Sequence, residues 1–354
     1  MNMALWGIFF ALFFFNAICA AQQKDFTNAV EKANRGDCRI MFYNVENLFD
    51  CKDDPKKNDN EFLPESKRHW TEQRFRQKLN NIFKVIAAAG ESQPPEIVGF
   101  AEIENRYVLE QLVYNTPLSK YQYHIAHFDS PDERGIDVAL IYRSDKVKRI
   151  AEKVYRVNFS PNSKRATRDI LYFSFQLNRK DTLHLFVNHW PSRSGGQLAS
   201  EKYRIFVANF LRAKTDSLLA CNINTKIMLM GDFNDEPHNK SIKEVLKAGK
   251  VENTILPERL YNLSYDAENL QAPGSHKYQG NWALLDQAMV SGSLLKKKGV
   301  YVLPGSFTIF SPSFLLEADE KYLGTKPKRT YIGFKYHGGF SDHLPVYIDL
   351  VIHR

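Results

Sequence analysis

Four apolar runs in this chain stop on an acid, an amide or a histidine, and that repeated ending restricts the fold more than any bulk property does. Residues 39–49 read as a buried strand with a polar end, where Asn44 is either an oxygen ligand at the strand's mouth or a turn residue. Residues 96–105 end in acids; Glu102 lies nearest the apolar run and is the stronger candidate for a functional carboxylate, while Glu104 is expected to be solvated. Residues 183–187 deliver Asn188 and His189 ahead of a Pro/Ser/Gly loop carrying Arg193, a setting that suits anion binding or protonation as well as a capping histidine. Residues 227–230 run through Gly231 into Asp232 and Asn234, which are two apart and so able to face one side. Buried carboxylates are costly unless they pair, hydrogen-bond or hold a metal. The pattern therefore asks for strand ends gathered at one cleft.

Two later segments extend it. Asp286 falls inside an apolar strand, residues 280–290, where an ionised carboxylate needs a partner such as an imidazole. Near the C-terminus Ser341-Asp342-His343 stands between the turn Gly338-Gly339 and the run Leu344-Pro345-Val346, and this pair is read as the hub. Between the strands, Thr71 is expected to cap a helix running to Gly90, with Phe75, Leu79, Ile82, Phe83 and Ile86 on its core face. A second helix is expected over residues 200–220, burying Tyr203, Phe206, Val207, Phe210 and Leu211. Residues 168–175, opening with Arg168, alternate as a half-buried strand; residues 51–67 read as an exposed loop and 307–335 as a projecting hairpin or long loop.

At 354 residues and 44% hydrophobic, with no visible repeat, the chain favours one large domain. Residues 1–21 are expected to be an export signal: no charged side chain occurs in the first twenty, and the apolar stretch 5–15 is too short to span a bilayer comfortably. Residues 22–37 form a polar lead and 38–354 the domain. This predicts a periplasmic or extracellular protein, the alternative being anchoring by an uncleaved N-terminus. Removing the signal leaves Cys38, Cys51 and Cys221, an odd count that excludes a disulfide scaffold. The net charge of +8 favours a polyanionic partner.

Taken in order, the segments Tyr43-Asn44-Val45-Glu46-Asn47-Leu48-Phe49, Val98-Gly99-Phe100-Ala101-Glu102, Asn188-His189, Gly231-Asp232-Phe233-Asn234, Leu285-Asp286 and Ser341-Asp342-His343-Leu344-Pro345-Val346 resemble the endonuclease/exonuclease/phosphatase (DNase I-like) superfamily. The resemblance implies a four-layered α/β sandwich, with two mixed β-sheets packed face to face and helices on both outer faces. It implies Glu102 as the principal Mg²⁺ ligand, Mn²⁺ substituting, with Asn44 and Asp342 near the metal. It implies His343 as general base oriented by Asp286, Asp232 and Asn234 orienting water and phosphate, His189 on a phosphate oxygen or the leaving group, and Arg168 on phosphate. Arg193 joins it from the loop reading above. Two positions depart from the superfamily pattern: Ala101 stands where a glutamine often precedes the glutamate, and Ala283-Leu284-Leu285 where an arginine often precedes the aspartate.

The activity expected is metal-assisted hydrolysis of a nucleic-acid phosphodiester by a monomer with no obligate protein partner. His189 and the export signal both disfavour intracellular abasic-site repair. The alternative is a phosphatase or phospholipase of the sphingomyelinase or inositol-phosphatase type, for which Phe307-Thr308-Ile309-Phe310 and Phe314-Leu315-Leu316 would supply an exposed apolar hairpin; a non-catalytic binding module is the third reading. Lys326, Lys328 and Arg329 would give a nuclease a basic lip.

Overall fold

The computed structural model describes residues 35–159, 166–265 and 274–353; the expected signal, residues 1–21, lies outside them. In chain order the elements are β1 (Cys38–Leu48), α1 (Glu72–Gly90), β2 (Ile97–Ile103), α2 (Arg106–Tyr114), β3 (Tyr123–His127), β4 (Asp137–Arg143), β5 (Lys148–Tyr155), β6 (Ile170–Gln176), β7 (Thr182–His189), α3 (Gln197–Cys221), β8 (Lys226–Asp232), β9 (Ala248–Gly249) and β10 (Leu260–Asn262). There follow β11 (His276–Tyr278), β12 (Asn281–Ala283), β13 (Asp286–Ser291), β14 (Val300–Val302), β15 (Thr308–Ile309), β16 (Leu316–Ala318), β17 (Thr325–Pro327), β18 (Tyr331–Ile332), β19 (Lys335–Tyr336) and β20 (Val346–Ile352). One mixed sheet runs β14-β20-β1-β2-β4-β3, with β15 also on β20, and the other runs β5-β6-β7-β8-β13-β10-β9.

The inner faces share one core, in which Phe42, Ile97, Ala101 and Leu140 of the first sheet meet Phe173, Val187, Met228 and Val290 of the second. Burial of each such side chain larger than alanine contributes about 1.5–3 kcal/mol. Phe75, Leu79, Ile82 and Ile86 of α1 join that core from outside the first sheet. A second cluster under α3, with Val207, Leu211, Phe186 and Leu229, seals the outer face of the other. This is the expected sandwich.

Pairing direction brings the chemistry to one end. β1 and β2 run parallel with Asn44 beside Ala101, and β7 and β8 run parallel with His189 beside Asp232. β13 and β20 run antiparallel to their neighbours, so their beginnings lie where those neighbours end. Asp286 faces Asp232, and Ser341, just before β20, donates from Oγ to the Asn44 carbonyl at 2.7 Å. Asp286 is thus the first residue of its strand rather than an interior one.

Several local expectations are corrected. Thr71 holds the N-cap position of α1 without a side-chain capping bond. α3 buries Ser200, Arg204, Val207, Ala208 and Leu211, while Tyr203 and Phe206 turn aside to pack on Phe159. β6 is buried on both faces because α3's cluster covers the side read as solvent-facing. Residues 51–67 are not simply exposed, since Asp59 is buried among them. Phe307, Ile309 and Leu315 sit in the core, leaving the β16–β17 and β18–β19 hairpins as the projecting part of residues 307–335.

Candidate active site

Two groups of side chains share the mouth of the sandwich. The first centres on Asp232. Gly231, at φ +152°, permits the approach of β8 to β7: a Cβ there would lie 2.2 Å from the Asn188 carbonyl oxygen. Asp232 Oδ2 then accepts from Asn44 Nδ2 at 3.1 Å, with His189 Nε2 at 3.6 Å and His343 Nε2 at 3.9 Å. His343 Nδ1 bonds Asp286 Oδ2 at 2.6 Å, and the backbone N–H of Asp286 donates to Ser275 Oγ. Burial opposes charge on His343, but Asp286 and Asp232 prevail and hold the imidazole well above its ordinary value. Burial, then Asp286, pushes the Asp232 carboxyl up to about 7 against the pull of His343. His189 goes the other way, held well below its ordinary value by burial and then by Arg168.

The second group is acidic. β1 bulges against β2 after Asn44, with Glu46 and Asn47 at positive φ and Glu102 at φ +65° on the facing strand. The bulge turns Glu102 so that its Oε2 accepts the Asn47 N–H at 3.0 Å. Glu46, buried, accepts from Arg329 Nε at 2.9 Å and from the Thr330 N–H at 2.7 Å, and Arg329 Nη2 lies 3.0 Å from Asp342 Oδ2. Gly339 lets this lip close: a Cβ there would be 2.1 Å from the Lys328 carbonyl oxygen. Buried Lys78 donates to Thr330 Oγ1 and to the Phe340 carbonyl, both at 2.6 Å. Burial lowers the Lys78 ammonium to about 8 despite the opposing pull of Glu46, Asp342 and Glu102.

Of the expected residues, Asn44, Glu102, His189, Asp232, Asn234, Asp286, Asp342 and His343 gather at this mouth. Asn234 donates from Nδ2 to the Trp190 carbonyl at 3.0 Å, so its amide braces the loop after His189. Arg168 is also there but buried, 3.3 Å from Asp132 Oδ2 and donating to the Trp190 carbonyl; it precedes β6, one strand in from the sheet edge, rather than lying on a middle strand. Arg193 donates to the Asn234 carbonyl at 2.8 Å and to Asn239. Glu104 is not solvated: it is 8% exposed, it accepts the Asp50 N–H, and burial with its acidic neighbours pushes it up to about 8.

Four participants escaped the sequence reading. Glu46 follows Asn44 by two, a strand spacing that signals a shared face. Lys78 interrupts the apolar stripe of α1 beside Phe75 and Leu79. His276 bridges His343 with ring centroids 4.6 Å apart and is held down to about 4 by burial and then by His343; nothing local marks it. Arg329, expected only in a basic lip, pairs with Glu46 and Asp342.

Glu46, Glu102 and Asp342 all act on the same two cations, Arg329 and Lys78, with the Asn44 amide beside them. Carboxylate and amide oxygens are the donors a hard divalent cation takes, so these residues fit one. The tighter trio of Asp232, Asp286 and His343 has its ligand atoms within 4.8 Å of one another and is closed by the 2.6 Å hydrogen bond between His343 and Asp286.

A two-sheet sandwich with acids, amides and imidazoles at one mouth defines a class of phosphoester hydrolases. The Endonuclease/Exonuclease/phosphatase family pattern matches residues 39–352; the chain belongs to that family and is a hydrolase of phosphoric esters. Among solved structures it is similar to a Bacteroides thetaiotaomicron mannosyl-6-phosphatase, at 16% identity over 89% of this chain and 100% of that one, TM-score 0.55. The human Nocturnin catalytic domain with bound sulfate gives 16% identity, 89% and 94% coverage and TM-score 0.53. D. rerio TDP2 complexed with a single-strand DNA product gives 14%, 88% and 98%, and 0.52. These likenesses are of fold. No curated protein sequence matches the chain.

Proposed function

We propose that the chain is an exported phosphodiesterase that hydrolyses nucleic acid with Mg²⁺, Mn²⁺ substituting. The observation that carries this reading is His343, clamped to Asp286 with its other nitrogen turned to Asp232, beside a separate set of hard oxygen donors. Glu102, Asp342 and Asn44, joined by Glu46, would hold the cation, which when bound neutralises charge on the phosphoryl oxygens.

The attacking water gives its proton to the Asp232–His343 pair. Asp286 fixes the ring and balances the imidazolium charge. His189, largely neutral, offers Nε2 to a phosphoryl oxygen or the leaving group. Asn234 and Arg193 keep the Asp232 loop in place, and Arg168 adds positive potential from behind. The lipid alternative loses its supporting feature, because Phe307, Ile309 and Leu315 are in the core.

The test is one purified preparation assayed on plasmid, single-stranded DNA, RNA, sugar phosphates and sphingomyelin liposomes, with and without EDTA. Nucleic-acid cleavage that EDTA stops and Mg²⁺ restores supports the reading. Hydrolysis of lipid or monoester with nucleic acid left intact overturns it.

A further inference from the structure

Residues 321–340 contain Lys321, Lys326, Lys328, Arg329 and Lys335 and no Asp or Glu; Lys326 pairs with Glu317 and Arg329 with Glu46, and among the described ion pairs Lys321, Lys328 and Lys335 have none. In the same stretch Tyr322, Leu323, Ile332 and Phe334 are exposed, Phe334 by 53%. Cations interleaved with exposed rings are what a nucleic-acid strand with unpaired bases requires: the charges track phosphates and the rings take the base faces.

The β18–β19 hairpin that presents Phe334 is braced from behind. Arg68 donates from Nη1 to the Gly333 carbonyl at 3.0 Å, and its guanidinium lies 5.1 Å from the Tyr331 ring centroid and 5.5 Å from that of Phe334. Tyr331 itself is buried and donates from its hydroxyl to the Arg68 carbonyl at 3.0 Å. Lys277 ties the neighbouring hairpins together, pairing with Asp319 at 2.8 Å and donating to the Leu323 and Thr325 carbonyls.

Between the β18–β19 hairpin and the end of β1 lies a cavity of about 150 Å³ lined by Glu46, Asn47, Arg68, Arg329 and Tyr331. Glu46 and Arg329 also belong to the acidic group of the active site, so the cavity opens directly off it. Its volume matches that of a cavity able to take one ring.

We propose that this cavity and Phe334 form the subsite for an unpaired nucleotide flanking the scissile phosphate, so that the enzyme acts on single strands in preference to duplex. The proposal rests on the nucleic-acid reading above. One base enters the cavity or stacks on Phe334, its edge meeting Asn47 and Arg329, while Lys328 and Lys335 follow the backbone. A duplex would have to open before either contact forms.

The experiment uses the full chain with Mg²⁺ and three substrates: a fluorescent single-stranded oligonucleotide, the same oligonucleotide in a blunt duplex, and bis(p-nitrophenyl) phosphate, which has a diester and no base. The expected result is kcat/KM about tenfold or more higher on the single strand than on the duplex. In F334A the ratio of single-strand to bis(p-nitrophenyl) phosphate kcat/KM falls about tenfold, mainly through KM, and F334W restores it. Fluorescence anisotropy of the oligonucleotide in EDTA, which needs no turnover, is expected to show the same loss of affinity in F334A. Equal rates on duplex and single strand, or F334A lowering both substrates in proportion, overturn the subsite. Turnover of bis(p-nitrophenyl) phosphate without oligonucleotide cleavage also overturns it while leaving a phosphodiesterase standing; inactivity on all three removes the function proposed above as well.

Discussion

The two halves of the mouth are built by opposite means. On the Asp232 side, hydrogen bonds between neighbouring strand ends hold buried groups: Asp286 is 0% exposed and its partner His343 is 8% exposed. On the Glu102 side, carboxylates converge from β1, β2 and the loop before β20, and long cations from α1 and the lip neutralise them. The first half is complete as the chain folds. The second balances its acids with one buried ammonium, Lys78, and one guanidinium, Arg329, whose side chain is 43% exposed and so displaceable. Positioned acid–base chemistry needs rigidity, whereas cation binding needs displaceable charge.

The sharpest way to break this contrast is to remove one member from each half. H343A and D286N are expected to lower kcat about 10³-fold while divalent-cation affinity, read by calorimetry, stays within about threefold. E102Q is expected to weaken Mn²⁺ binding about tenfold or more, measured the same way, without lowering the melting temperature of the metal-free protein. If H343A lost metal and E102Q kept it, the two halves would be assigned the wrong way round.

A smaller effect probes the coupling inside the first half. The proton acceptor must be unprotonated, so activity rises with pH through the apparent value of the Asp232–His343 pair, in which burial and Asp286 hold the Asp232 carboxyl above its ordinary value. Asp286 stabilises the imidazolium. Removing its charge in D286N therefore shifts the acid limb of the residual kcat/KM profile to lower pH. A limb that stays in place would mean that Asp286 acts only by packing.

The contrast also explains what was legible in the sequence. The rigid half is made of strand ends, and strand ends announce themselves: an apolar run, a glycine, then Asp232; an apolar run, then His189. The sandwich was implied by the family resemblance that those segments carry in order, and its parallel neighbours put their ends together. The displaceable half depends on partners far apart in the chain, with Lys78 meeting Thr330 and Glu46 meeting Arg329. No local spacing encodes those meetings. His276 is a third kind of miss, a hairpin residue placed on His343 only by tertiary pairing. The apolar residues from Phe307 to Leu315 misled for the converse reason, since composition does not say whether a ring packs inward on β20 or outward into solvent.

Glu104 gives the finest test of the acidic half, because it sits two residues beyond Glu102 and differs from it in surroundings. Glu102 is partly open to the mouth, whereas Glu104 is enclosed with Asp50, Asp54 and Asp59 acting on it, and none of the described basic side chains forms an ion pair with it. Its folded value of about 8 lies above the ordinary 4.5, so the folded state holds the proton more tightly than the unfolded chain does. The stability this contributes is fully present below pH 4.5 and is lost as pH rises through about 8. E104Q keeps an acceptor oxygen for the Asp50 N–H and removes the titration. In EDTA, the folding constant of the wild type, from urea unfolding, should fall relative to that of E104Q by at least about tenfold between pH 5 and pH 8. Parallel pH dependences for the two proteins would show that the fold does not hold Glu104 above its ordinary value.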